Sequence, residues 1–153
     1  MKVLFGSIVV GVALFAVAAG AKMEAETVAK RQEIMKGNGG HMKAIKDYVE
    51  SGQGSLADVR ARAEAIRASM DSFTGMFPEG TSADDMPGKS EALAAIWSDG
   101  AGFEAAAETL RARAGALAAA AHMGDSAGVK NLFGKLGREG CGGCHGKFRL
   151  KTP

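Results

Sequence analysis

Cys141-Gly142-Gly143-Cys144-His145 stands near the end of the 153-residue sequence and reads C-x-x-C-H, the attachment signature for a c-type haem. Two thiols three positions apart on a helix can each add to one vinyl group of the same porphyrin. The histidine beside the second thiol then lies against the iron. Gly142 and Gly143 place no side chain between the thiols. A bare C-x-x-C can also be a redox dithiol or half a zinc site. Zinc would need more ligands, and the sequence holds no other cysteine. A thioredoxin-like dithiol would need a βαβ context, and no strand pattern is present. The motif therefore predicts one haem c, attached through Cys141 and Cys144 and ligated by His145, with the upstream chain forming its pocket.

The N-terminus predicts the compartment that such attachment needs. Lys2 is followed by an almost unbroken apolar run from Val3 to Ala19, and Ala19-Gly20-Ala21 fits a small-x-small cleavage site. Residues 1–21 read as a cleaved secretory signal peptide and residues 22–153 as the mature domain. An uncut membrane anchor is the alternative, since the run is long. With cleavage the protein is periplasmic and has no membrane segment. Haem attachment would consume both cysteines and leave no disulfide. Removing residues 1–21 leaves 132 residues, enough for one domain with a core. Lys2 leaves with them, so net charge falls from +2 to 18 − 17 = +1. That balance, without a basic run, argues against nucleic-acid binding but leaves room for a local charged patch facing a partner protein.

Abundant alanine, scarce proline and few β-branched or aromatic residues favour helix. The spacing predicts a first helix over 23–51, with a seam through Val28, Arg31, Met35, Asn38, Met42, Ile45 and Val49. Arg31 and Asn38 are polar at core positions, and Gly37, Gly39 and Gly40 weaken the helix beside them. A helix facing haem could use close approach at glycine and an arginine for a propionate carboxylate. A helix break with a solvent-exposed arginine is the plainer alternative. Gly52-Gln53-Gly54 ends this helix, and Ser55 to Asp58 resembles a capping box opening the second. Its seam, Leu56, Val59, Ala63, Ile66, Met70 and Phe73, is the clearest heptad pattern in the chain. Residues 75–88 read as an irregular connection crossing an end of the bundle. A third helix is predicted from Lys89 or Ser90 to about His122, and a fourth from Ser126 to about Leu150. The fold class is all-α, an antiparallel up-down-up-down four-helix bundle carrying covalent haem c.

These features resemble the class II cytochromes c, the cytochrome c′ family, over most of residues 23–151. The carriers of the resemblance are C-x-x-C-H near the end of the last helix, Arg31-Gln32 early in the first, Ala95-Ile96-Trp97-Ser98, the Gly124-Asp125 turn, and Phe148-Arg149 after the haem histidine. The resemblance implies that Arg31 and Gln32 hold a propionate and that Arg149 tunes His145. It also draws attention to Met35, four positions after Arg31. In five-coordinate, gas-binding members this position is usually a non-ligating bulky residue. A methionine here resembles the low-spin branch, in which it is the sixth iron ligand. Met35 packing over an open iron is the alternative, and Met42 is a rival ligand two turns on. His41 and His122 read as surface residues. The expected function is a periplasmic single-electron carrier with His145/Met35 ligation, serving redox partner proteins. The alternative is a five-coordinate cytochrome c′ binding or handling NO or CO. No acid/base pair or nucleophile constellation accompanies the motif, so no enzyme is expected. Bundles of this family often pair through their first two helices, so the resemblance also allows a homodimer.

Overall fold

The computed structural model describes residues 10–151, so the first nine residues of the expected leader lie outside the described residues. Helix α1 spans Val10–Ser51 and α2 spans Leu56–Ser69. A short 3-10 turn follows at Thr74–Met76. Helices α3 (Ala95–Ser98), α4 (Gly100–His122), α5 (Ser126–Lys135) and α6 (Gly142–Phe148) complete the order. A π-helical turn, Leu136–Cys141, joins α5 to α6 as one helical run. The four long segments form the antiparallel bundle that the heptad seams predict.

The predicted first helix is present and extends upstream through Ala21 without interruption. Among the described residues, no helix is long and apolar enough to cross a membrane. Gly37, Gly39 and Gly40 do not break α1. They face open space, and an added Cβ at any of them would meet no atom within 4 Å. Packing on the opposite side, through Val28 and the fully buried Ile45, holds the helix against their poor propensity.

The turn to α2 runs through Gly52 and Gly54, both in the left-handed region at φ 70° and 94°. The capping box forms as the sequence predicts. Asp58 N donates to Ser55 Oγ at 3.2 Å, and Ser55 N donates to Asp58 Oδ2 at 2.9 Å. Val59, Ala63, Ile66 and Met70 then bury one face of α2. The small residues Ala107, Ala114, Ala118 and Ala121, with Leu117 among them, give α4 a close-packed face in the same core.

The predicted start of the third helix needs correction. Residues 91–93 lie extended, because their backbone pairs with the chain after the haem motif. Leu93 N donates to Phe148 O at 3.0 Å, and Leu150 N donates to Glu91 O at 2.8 Å. Ala92 and Arg149 form the antiparallel bridge between them. The helical segment then begins at Ala95 and breaks at Asp99, whose φ of −131° and ψ of 59° are not helical. Asp99 instead caps α4, accepting from Gly102 N at 3.0 Å.

Candidate functional site

One face of α1, the last helical run and the segment around residues 73–92 enclose a cavity of about 670 Å³ of empty space, open mouth included. Its wall is mainly apolar, with Phe73, Phe77, Phe103 and Phe148 among the residues around it. These rings pack edge to face, Phe77 against Phe103 at 4.9 Å between centroids and Phe103 against Phe148 at 5.3 Å.

Cys144, His145 and Arg149 line the cavity from the last helix, and Arg31, Gln32 and Met35 line it from α1. The thiol of Cys141 is half-buried beside them. Both cysteines are free thiols. Burial pushes both thiols up from their ordinary value, and for Cys144 the neighbouring Cys141 adds to this. The His145 ring is half-buried. Burial lowers its pKa first, the Arg149 guanidinium lowers it further, and Glu91 opposes both. A neutral imidazole is the form that ligates a metal.

Gly140, directly before Cys141, explains how the last helix carries its thiols. An added Cβ there would sit 3.2 Å from Leu136 Cδ1 and 3.4 Å from the Leu110 backbone. Glycine therefore lets this helix approach α4. Gly140 thus serves helix–helix packing. Gly137 meets Met42, whose Cε would lie 3.8 Å from an added Cβ. Met42 thus packs against the last helix and is not among the cavity-lining residues. His41 lies 3.4 Å from Arg62 and His122 3.1 Å from Arg60, both outside the cavity.

Asn38 also departs from the expectation of a haem-facing role. Its Nδ2 donates to Ser69 Oγ at 3.0 Å, and Ser69 Oγ donates back to Asn38 Oδ1 at 3.1 Å, joining α1 to α2. Gly37, Gly39 and Gly40 are likewise absent from the cavity wall.

Arg31 is 5 % exposed and belongs to the cavity wall, not to solvent. Its Nη1 donates to Thr81 Oγ1 at 3.1 Å and Met76 O at 3.3 Å, and its Nη2 to Thr81 O at 3.0 Å and Ser90 Oγ at 3.4 Å. The guanidinium lies 4.3 Å from the Phe77 ring centroid. All these partners are neutral, and among the described residues no carboxylate forms an ion pair with Arg31. Gln32 Nε2 donates to Lys89 O at 2.7 Å and, as an amide, keeps a second N–H. On the far wall, Arg149 Nε pairs with Glu91 Oε2 at 3.0 Å.

The sequence reading missed Glu91, Thr81 and Ser90. Glu91 falls where a helix was predicted, so its pairing with the chain end had no local signal. Thr81 sits in a stretch polar enough to read as exposed and Ser90 at a predicted helix start, yet both are buried.

Taken together, a thiol and an imidazole of lowered pKa on one wall with a second thiol three residues before the first, a thioether on the other wall, an aromatic lining and a buried cation lacking a carboxylate suit a flat apolar macrocycle with acidic side arms. Comparison with known proteins agrees. The family model described as Cytochrome C' matches residues 26–149. A cytochrome c' of Pararhodospirillum photometricum is 40% identical over 119 residues, covering 78% of this chain and 92% of that protein. A cytochrome c-556 of Agrobacterium fabrum (strain C58) is 35% identical over 135 residues, covering 87% of each. Among solved structures, a cytochrome c' with ligand-controlled dimer dissociation matches with a TM-score of 0.75 at 27% identity, over 84% of this chain and 97% of that one. A nitric oxide complex of a cytochrome c prime variant from Alcaligenes xylosoxidans matches with a TM-score of 0.72 at 25% identity, over the same shares.

Proposed function

Because this chain belongs to the cytochrome c′ family, whose members are haem c proteins rather than enzymes, we propose that it is a periplasmic single-electron carrier with low-spin iron held by His145 and Met35. Haem c, when bound, supplies one-electron redox chemistry at iron. The chain supplies the rest. Cys141 and Cys144 fix the macrocycle through two thioethers, and His145 offers a neutral nitrogen. The observation that carries the reading is that Met35 lines the same cavity as His145, while Met42, His41 and His122 do not. A thioether on the second side favours ferrous iron and raises the potential. It also keeps water and dioxygen from the metal.

Arg31 and Gln32 are the proposed propionate partners. Arg31 acts chiefly by charge, since its four terminal N–H groups already have acceptors, and Gln32 acts through its remaining N–H. Arg149, held by Glu91, is the proposed cation beside His145. Residues 1–21 are the proposed leader, cleaved after Ala21, and redox proteins of the periplasm are the partners. A homodimer fits this reading, given the dimer named for one similar structure.

The second reading is five-coordinate iron that binds NO or CO, which the nitric oxide complex among similar structures favours. The optical spectrum of the purified holoprotein separates the two. A low-spin ferric spectrum with a far-red methionine–iron charge-transfer band supports the carrier. A high-spin spectrum with rapid CO binding to ferrous protein overturns it. Met35→Ala is expected to convert the low-spin centre to high-spin, and an unchanged spectrum would assign the sixth ligand elsewhere.

A further inference from the structure

Charge is distributed unevenly along the chain in a way the net value conceals. Residues 126–151 hold six basic side chains against Glu139 alone, a net +5, whereas residues 52–125 hold six basic and eleven acidic side chains, a net −5. The last helical run, which bears the haem motif, is therefore the positive pole of the molecule. Some of its charge is answered internally: Lys147 by Asp99 and Arg149 by Glu91. Its only acid, Glu139, is taken by Arg113. Among the described residues, Lys130, Lys135, Arg138 and Lys151 have no ion-pair partner, and no acid on this run remains to neutralise them.

The outer side of the same run is bare. Gly142, Gly143 and Gly146 are exposed, and an added Cβ at Gly143 or Gly146 would meet nothing within 4 Å. Lys130, Gly134, Arg138, Gly142 and Gly146 recur every four positions, so two of the unpaired cations, Lys130 and Arg138, fall in one row with the bare backbone. Cys144 and His145 line the cavity on the other side. Just beyond the helix, Leu150 is 45% exposed, one of the few large apolar residues to be so. An apolar contact bordered by cations, over backbone without side chains, suits a small transient interface.

Resting on the carrier reading, we infer that this outer face is the docking surface for an acidic redox protein, which approaches the haem across the glycine backbone behind Cys141 and Cys144. Carboxylates of the partner would meet Lys130 and Arg138, and encounter would be steered by the local positive field, not by the net charge of the chain.

The test uses ferrous holoprotein in stopped flow. One electron leaves the ferrous iron and reduces hexacyanoferrate(III), an anionic oxidant, to hexacyanoferrate(II). Tris(phenanthroline)cobalt(III) serves as the cationic oxidant, and poly-L-glutamate as a redox-inert mimic of the acidic partner. At low ionic strength the anionic oxidant is expected to slow as salt is added, although net charge is close to zero. Poly-L-glutamate is expected to slow oxidation several-fold. Arg138→Glu, and Lys130→Glu as a second variant, should lower the hexacyanoferrate rate about three- to ten-fold and abolish inhibition by poly-L-glutamate. Lys46→Glu changes net charge equally but lies on α1, and should leave both readouts near wild type. Equal effects of Arg138→Glu and Lys46→Glu, or no inhibition by poly-L-glutamate, would overturn the docking face. If the resting spectrum is low-spin, such a result removes the docking face alone, whereas a high-spin, CO-binding centre removes the carrier reading first.

Discussion

Arg31 shows what a single residue does for this pocket. It carries a charge into a nearly solvent-free position, where only neutral oxygens and the Phe77 ring receive it. Those oxygens come from Met76, Thr81 and Ser90, so one guanidinium draws an irregular segment against α1. Burial lowers its pKa, yet a guanidinium remains charged at neutral pH. Arg31→Met should destabilise the holoprotein by about 2–3 kcal/mol in urea denaturation, because buried acceptors lose a charged donor. Arg31→Lys should restore only part of that loss, since an ammonium cannot span the same acceptors as a planar fork. The candidate site residues were legible because their chemistry is local: C-x-x-C-H is a fixed spacing, and Arg31 and Met35, which line the cavity, follow a helical period. Glu91 was not, because its role depends on a backbone pairing with residues nearly sixty positions later.

At the scale of elements, α2 is the part most fully written in its own sequence. Ser55 holds the Asp58 carboxyl below its ordinary range through side-chain and backbone hydrogen bonds, desolvation opposes this weakly, and Arg62 adds to it. A carboxyl depressed in the folded state stabilises it above the unfolded pKa, and that contribution is lost as pH falls through the lower folded value. Asp58→Ala should therefore lower the thermal midpoint near neutrality. The gap from wild type should narrow on acidification, which paired melts across the pH range would measure.

The last helical run is less legible. Counting at 3.6 residues per turn does not reveal that Leu136–Cys141 winds more widely, and such turns recur at functional sites. Gly140→Ala probes this turn directly. It should push the motif helix from α4 and reduce stability by about 1–2 kcal/mol in urea, with a lower yield of attached haem. The third helix was misplaced for a related reason: Ala94 to Ser98 favours helix, but the backbone just before it is committed to the chain end.

On the scale of the whole molecule, the bundle is built around a space. Helix α1 packs on α2, and the cavity separates much of it from the motif helix. The number and direction of helices were legible from heptad seams and short loops, whereas the size of the gap was not, since it depends on a group outside the polypeptide. Cys141→Ser/Cys144→Ser should leave the pocket without its covalent occupant. The expected product keeps far-UV helix signal but loses near-UV signal and binds ANS, as a compact state without fixed packing does. A variant with a native near-UV spectrum and no ANS binding would show that the bundle closes without haem.

The cavity takes one wall from residues 28–35 and the other from residues 144–149. Synthesis delivers these walls at different times. At roughly 5–20 residues per second, on the order of ten seconds separates Met35 from His145. Throughout that interval the first wall exists without the second, and neither the thiols nor the imaginary outline of a pocket has yet been made. Haem capture is thereby placed at the end of the chain's emergence, because the segment that carries the thiols and the imidazole is among the last to be made.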